Sequence, residues 1–330
     1  MKKTIVTGIK PTGKVHLGNY IGAIKPALEL AKNKDYQPVY FIADYHGLTK
    51  IHNGEELRDL SYGIAATWIA LGLDPAQFIF YRQSDVPEIF ELNWILSCFA
   101  SKGLLNRAHA YKSMVDANQQ AGRDPDTGVN IGLFTYPVLM AADILLFKSS
   151  LVPVGKDQQQ HVEIARDIAE VFNKAYGDTF HLPTPKIEKD SSVILGLDGR
   201  KMSKSYNNTI PLFEESKKLK KLINKIKTDS LPPEAPKDPD SSTIFSLYKQ
   251  FAEEAETKDF HDRLLKGIGW GEAKQELFQV MDRFLSEPRE KYHELISSPA
   301  QLDDILTAGA DKARNIAAPF LKEIRGKVGL

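Results

Sequence analysis

TIVTGIKPTGKVHLGNYIGAI, residues 4–24, opens on a β-branched run (Thr4, Ile5, Val6, Thr7) that reads as a buried strand. It passes through Gly8, Pro11 and Gly13 and takes up helical spacing at about Leu17. A glycine-rich turn between strand and helix gathers unpaired backbone N–H groups at the positive end of a helix, which suits a phosphate. The alternation repeats downstream. Leu17–Asn33 is a helix with Pro26 as a kink, and Gln37–Ala43 is a second strand ending at Asp44-Tyr45-His46. Glu55–Leu71 is an amphipathic helix, Gln77–Tyr81 a third strand, and helical patterns broken by Gly103 fill Pro87–Gln120. Strands alternating with helices predict an α/β, Rossmann-like domain: a parallel sheet with helices on both faces and ligands at the carboxyl ends of the strands. Gly8–Gly13 and Asp44–His46 both fall there.

Two phosphate-binding patterns compete for the first turn. Gly8 and Gly13-Lys14 have the spacing of a P-loop, with Asp44 where a Walker B aspartate would stand, but Val15 replaces the hydroxyl residue that holds Mg²⁺. The other pattern is His16-Leu17-Gly18-Asn19. Either match alone is weak beside an ordinary glycine turn carrying an exposed histidine. Far downstream, Lys201-Met202-Ser203-Lys204-Ser205 follows an Asp198-Gly199-Arg200 turn. Two lysines on a mobile loop can close over a triphosphate and neutralise charge as pyrophosphate departs, an interaction strongest in the transition state. In this order, the His16 and Lys201 motifs resemble the two signatures of the class I aminoacyl-tRNA synthetases, and the P-loop reading is rejected.

A chain of 330 residues can bury a sizeable core and divides naturally into two domains. Apolar residues make up 42% and charged residues 26%, ordinary for a globular protein. Lys+Arg and Asp+Glu are equal at 43 each, so a nucleic-acid partner must be met by a local basic face rather than by overall charge. The lone Cys98 excludes a disulfide and a multi-cysteine metal site, fits a reducing compartment, and reads as a small core residue. No apolar run suggests a membrane span or signal peptide, and the expected location is the cytoplasm.

The middle of the chain holds an apolar helix, Leu133–Phe147, with one carboxylate, Asp143, that is expensive to bury unpartnered. A short strand (Leu151–Val154) and the polar cluster Gly155–His161 then lead into a long helix running to about Tyr176. In that cluster Asp157 and His161 are candidates for helix capping or for supporting other site residues. After the Lys201–Ser205 loop only helical patterns remain: about Phe213–Lys227, Thr243–Ala255, Asp259–Gly267, Glu272–Leu285, Arg289–Ile296 and Ala310–Ile324. The Leu231–Asp240 segment is a proline-rich loop. The first of these helices carries Lys217, Lys218, Lys220, Lys221, Lys225 and Lys227, either a solvated face or a contact for RNA phosphates. The expected domains are 1–210, catalytic, and 211–330, all-helical.

Thr135-Tyr136-Pro137, Met140-Ala141-Ala142-Asp143, Val152-Pro153-Val154-Gly155 and Gln160-His161 extend the resemblance to the tryptophan-activating branch of that family. The resemblance implies activation of L-tryptophan by ATP, with Mg²⁺, and transfer to tRNA(Trp) by a homodimer whose helical domain reads the anticodon. It places His16, Asn19, Lys201 and Lys204 in catalysis, with Lys10 and Lys14 as possible helpers. Around ATP it places Lys10, Thr12, Gly18 (leaving room for adenine), Asn19, Gly155, Asp157 and Val193. The loop residues Lys201, Met202, Ser203, Lys204 and Ser205 would also contact the nucleotide. Around tryptophan it places Val6 and Gly8, with Met140 and Val154 flanking the indole, Tyr136 and Gln158 at the ammonium, and His46 near the carboxylate. Asp143 would accept the indole N–H. Three positions depart from the family's common pattern: Lys10 replaces a glutamine, Val6 an aromatic residue, and Met114 a lysine near the pyrophosphate. A tyrosine-activating relative of the same architecture and a non-charging paralogue with a binding or regulatory role remain as alternatives.

Overall fold

The computed structural model describes residues 2–155, 158–187 and 194–330. Five parallel strands form one sheet in the order β3-β2-β1-β4-β5. They are β1 (Lys3–Ile9), β2 (Tyr36–Ile42), β3 (Ile79–Arg82), β4 (Leu151–Val154) and β5 (Thr184–Ile187). The first four match the sequence expectation. β5 has no alternating or continuous apolar pattern of its own, since TPKI has no fully buried residue, and only its pairing with β4 makes it a strand.

The chain order around the sheet explains where a ligand can enter. β1 pairs with β2 along its whole length, from Lys3↔Tyr36 to Ile9↔Ile42. On its other side it meets β4 only at Ile5↔Leu151. The carboxyl half of β1 therefore parts from β4 where the strand order reverses, the position at which doubly wound sheets bind ligands.

Between β1 and β2 the chain forms α1 (Leu17–Asn19), a π-helical stretch (Tyr20–Ile24) and α2 (Lys25–Ala31). The π-helical turn immediately precedes Pro26, which lacks an amide hydrogen and cannot continue an ordinary ladder. The predicted kink is thus a local change of helical pitch. Next come α3 (Asp44–Gly47), α4 (Gly54–Ala70), α5 (Glu88–Ser97), α6 (Lys102–Asn106), α7 (His109–Gln120), α8 (Ile131–Leu145) and α9 (Gln159–Tyr176). The helical region is broken at Cys98–Ser101 and at Arg107–Ala108, whereas Gly103 lies inside α6, started by the Ser101 side-chain cap. The core expectation for Cys98 fails for a related reason. It caps α5 in register with exposed Trp94, four residues earlier, while Leu92, Ile95 and Leu96 take the buried face.

The remaining helices are α10 (Ser216–Asn224), α11 (Thr243–Tyr248), α12 (Glu254–Lys266), α13 (Trp270–Ile296) and α14 (Pro299–Val328). Pro288 sits within α13, which runs through the two helices expected on either side of it. Leu277, Met281, Leu285 and Leu295 are buried on both sides of the proline, so packing outweighs the missing hydrogen bond. α14 also begins earlier than its periodicity suggested, because its first half packs on β3. A Cβ at Gly309 would lie 1.8 Å from the Phe80 carbonyl oxygen, so only glycine allows that approach. One apolar cluster joins Leu17, Ile42, Trp68 and Phe80 to Leu277, Met281 and Leu306, and therefore spans residues on both sides of position 211. No helix among the described residues is long and apolar enough to cross a membrane.

Candidate active site

Strand β1 delivers the first turn to the open end of the sheet, and a returning segment fixes it there. Leu17 N–H donates to the Ile210 carbonyl (3.0 Å) and Leu212 N–H to that of Val15 (3.1 Å). This backbone pairing, closed by the His16↔Pro211 bridge, brings the Lys201–Ser205 loop against the His16 turn. Met202 is buried and lies 3.6 Å from where a Gly18 Cβ would stand. Lys204 Nζ donates to the Thr12 carbonyl (3.2 Å). Gly13 has φ +120°, and a side chain there would press on Lys204 Nζ at 3.0 Å, so the turn needs glycine for both its conformation and its neighbour.

His16 is buried and its Nδ1 has no hydrogen-bond partner among the described residues. Burial, reinforced by Lys204, lowers its pKa to about 4, so the ring is neutral near pH 7. Its backbone N–H donates to Asn19 Oδ1 (3.2 Å), which holds Asn19 on the same turn. Burial also lowers the Lys204 ammonium from its usual value. Lys201 is exposed and bridges Leu195 through its backbone. Ser203 Oγ caps the short turn that carries Lys204, accepting from Ser205 N–H (3.3 Å).

Asn208, absent from the sequence expectation, ties this loop together. It is buried, its Oδ1 accepts from Ser203 N–H (2.8 Å), and its Nδ2 donates to Asp198 (2.7 Å) and the Lys201 carbonyl (3.1 Å). Asn208 and Arg200 hold the Asp198 carboxyl down at about 2.

Beside this turn lies a cavity of about 830 Å³, a size suited to a small molecule. Val6, Gly8, Lys10, His46, Tyr136, Met140, Asp143, Val154, Gly155 and Gln158 all line it, together with Thr49, Lys50 and Met114. It thus gathers every residue expected around the amino acid. Of those expected around the nucleotide, it gathers Lys10 and Gly155. His16, Asn19 and the Lys201–Ser205 loop stand outside its lining, on the adjoining turn, and Lys14 faces a separate cleft with Arg58, Tyr62 and Tyr292. Asp157 and Val193 lie outside the described residues.

Asp143, carried on α8, is 1% exposed. Its Oδ2 is 3.0 Å from His46 Nε2, and Gln83 Nε2 donates to both carboxylate oxygens at 2.8 and 2.9 Å. Burial raises its pKa, opposed by His46 and Gln83. Tyr136 hydrogen-bonds through its hydroxyl to His161 Nε2, so His161 supports a cavity residue while Gln158 occupies the cap position of α9. Lys10 Nζ donates to Thr49 Oγ1 (2.7 Å), whose hydroxyl donates to the His46 carbonyl (2.8 Å). Burial and the charge of Lys50 lower Lys10 to about 8. Asp44, the Walker B candidate, is taken up by Ser84 and by Tyr45 N–H, which leaves it in a structural role.

Chemically, one end offers a neutral imidazole and clustered cations to a polyanion. The other offers a largely apolar cavity whose lining includes one buried carboxylate. Residues 2–286 match the family described as tRNA synthetases class I (W and Y). A tryptophan–tRNA ligase from Pseudomonas putida is 55% identical over 333 residues, covering all of this chain and 74% of that protein. One from Neisseria meningitidis is 52% identical over 330 residues, covering all of this chain and 98% of that protein. A crystal structure of tryptophanyl-tRNA synthetase from Campylobacter jejuni, complexed with ADP and tryptophan, superposes with a TM-score of 0.89. It is 46% identical and covers 99% of this chain and 100% of that one.

Proposed function

The chain belongs to the class I tRNA synthetases (W and Y), and from that premise we propose that it activates L-tryptophan with ATP and transfers it to tRNA(Trp). The observation that carries the choice of amino acid is Asp143, a buried acceptor at the end of the slot lined by Val6, Met140 and Val154. Tryptophan presents an apolar side chain with one N–H near its far edge, and Asp143 accepts it. Phenylalanine offers no N–H, so one lone pair of that buried carboxylate stays unmet inside the filled pocket, a mismatch that can reject an analogue by about 10⁴–10⁵.

In the first step the tryptophan carboxylate attacks the α-phosphorus of ATP and pyrophosphate leaves. In the second, the 3′-terminal ribose of tRNA takes the acyl group from the adenylate. No side chain forms a covalent bond. The chain positions the reactants and supplies charge where it develops. His16, neutral and next to Lys204, donates the one N–H of its ring to a phosphate. Lys204 already rests on the Gly13 turn, and Lys201, on the same loop, reaches the triphosphate as the loop closes. Tyr136 and Gln158 face the ammonium and His46 the carboxylate, while Gly8 lets the Phe41 ring pack flush against the strand at the cavity wall. Thr12, Gly18, Asn19, Gly155, Asp157, Val193, Met202, Ser203 and Ser205 complete the nucleotide site.

Mg²⁺ enters with ATP. Its charge would be carried by the nucleotide's phosphate oxygens, the ligands this ion ordinarily takes with ATP. We divide the chain into a catalytic domain, 1–210, and a helical domain, 211–330, that reads the anticodon. The working form is a homodimer in the cytoplasm with tRNA crossing both subunits. Amino-acid-dependent ATP–pyrophosphate exchange across all twenty amino acids tests the assignment. Stimulation by tryptophan alone is expected, and stimulation by tyrosine alone overturns it.

A further inference from the structure

Gln83 is fully buried and does not line the cavity. It stands behind Asp143, where its Nε2 reaches both carboxylate oxygens while its own Oε1 has no hydrogen-bond partner among the described residues. An orphaned buried carbonyl is a cost that folded proteins ordinarily avoid, and a leucine or methionine would fill this space without it. The amide can face Asp143 only with its nitrogen, since the reverse orientation sets oxygen against oxygen.

The turn that carries Gln83 is secured on both sides. Arg82 pairs with Asp85 (2.8 Å) and with Asp303 of α14 (2.7 Å). Ser84 N–H donates to Asp44 (3.1 Å) at the start of α3, the helix that also carries His46. One 3₁₀ turn, Gln83–Asp85, is thereby coupled to both neighbours of Asp143. His46 touches only Oδ2, so it leaves the carboxylate free to swing about its own bond. Gln83 spans both oxygens and removes that freedom.

We propose that Gln83 is a positioning residue for amino-acid selection, clamping the Asp143 carboxylate so that it meets the indole N–H. This rests on the tryptophan assignment above. The probe pair is tryptophan and β-(3-benzothienyl)alanine, the isostere with sulfur in place of N–H, compared in ATP–pyrophosphate exchange. In Gln83→Met, of similar volume, the KM for tryptophan rises about tenfold or more while that for ATP stays within about twofold. The preference for tryptophan over its isostere falls about tenfold. A residue that only supports the fold would lower both amino acids alike, and that result, or an unchanged preference in a folded Q83M, overturns the proposal. Should Q83M not fold, Gln83→Leu fills the same space and likewise offers Asp143 no N–H. Its preference must fall at least as far, and a wild-type ratio overturns the proposal equally. Wild-type enzyme that activates tyrosine instead of tryptophan overturns the functional assignment; a retained ratio in Q83M overturns only the role of Gln83.

Discussion

The two ends of the site are built on opposite electrostatic plans. Asp143 is buried with its donors already in place, from His46 and Gln83. At the nucleotide end, Lys204 has only a carbonyl, Lys10 only a hydroxyl, and no carboxylate pairs with either among the described residues. The buried His16 Nδ1 has no partner there at all. A buried carboxylate that must recognise one neutral N–H needs to be fixed before the ligand arrives, or its own desolvation would neutralise it. Cations that must hold a leaving polyanion do the reverse: their unmet charge is what the transition state satisfies. On the proposed assignment, selection is preformed and catalysis is left waiting for charge.

Substitutions at the two ends should separate accordingly. The largest effect is expected for Asp143→Ala: about a 10³-fold or greater loss of kcat/KM for tryptophan in pyrophosphate exchange, with the KM for ATP little changed. Equal losses for both substrates would make Asp143 a fold residue and remove the contrast. Lys204→Ala should lower kcat by about 10²–10³ with the KM for tryptophan unaltered, the mark of a contact made in the transition state. If only the KM for ATP changes, Lys204 binds the ground state and the nucleotide end is not specialised for the transition state.

A smaller effect concerns pH. Folding lowers the pKa of His16 from 6.5 to about 4, so the native state favours the neutral ring. The stability this contributes is fully present above about pH 6.5 and is lost as pH falls through about 4. His16→Gln should therefore lose less stability over that interval than the wild type in urea melts at several pH values. Parallel pH profiles would show that the ring is not held neutral by the fold. The smallest expected effect is at Lys10, lowered to about 8 by burial and by Lys50. Lys50→Met removes the neighbouring charge and should shift the alkaline fall in kcat/KM for ATP to higher pH; an unmoved limb would mean that the two lysines do not share one anion site.

Much of this was legible in linear order. The His16 and Lys204 motifs, and Asp143 within an apolar helix, are each local combinations whose chemistry is unusual enough to be seen without a fold. Asn208 and Gln83 were not legible, because an asparagine in a polar loop and a glutamine after a strand are unremarkable until their partners are known. β5 went unseen because nothing in TPKI alternates. Cys98 was misplaced because the end of its helix, and therefore its face, depends on packing around Leu92 and Leu96.

What the sequence determined by itself was the set of candidate groups and the α/β order that brings strand ends together, since motif chemistry and hydrophobic period are properties of neighbouring residues. What only the tertiary structure decided was which groups arrive already paired and which remain unmet. Burial and partner distance are set by segments far apart in the chain: residues 46, 83 and 143 at one end, 12, 16 and 204 at the other. Those two quantities fix whether a charge is held in readiness or left to be satisfied by the substrate.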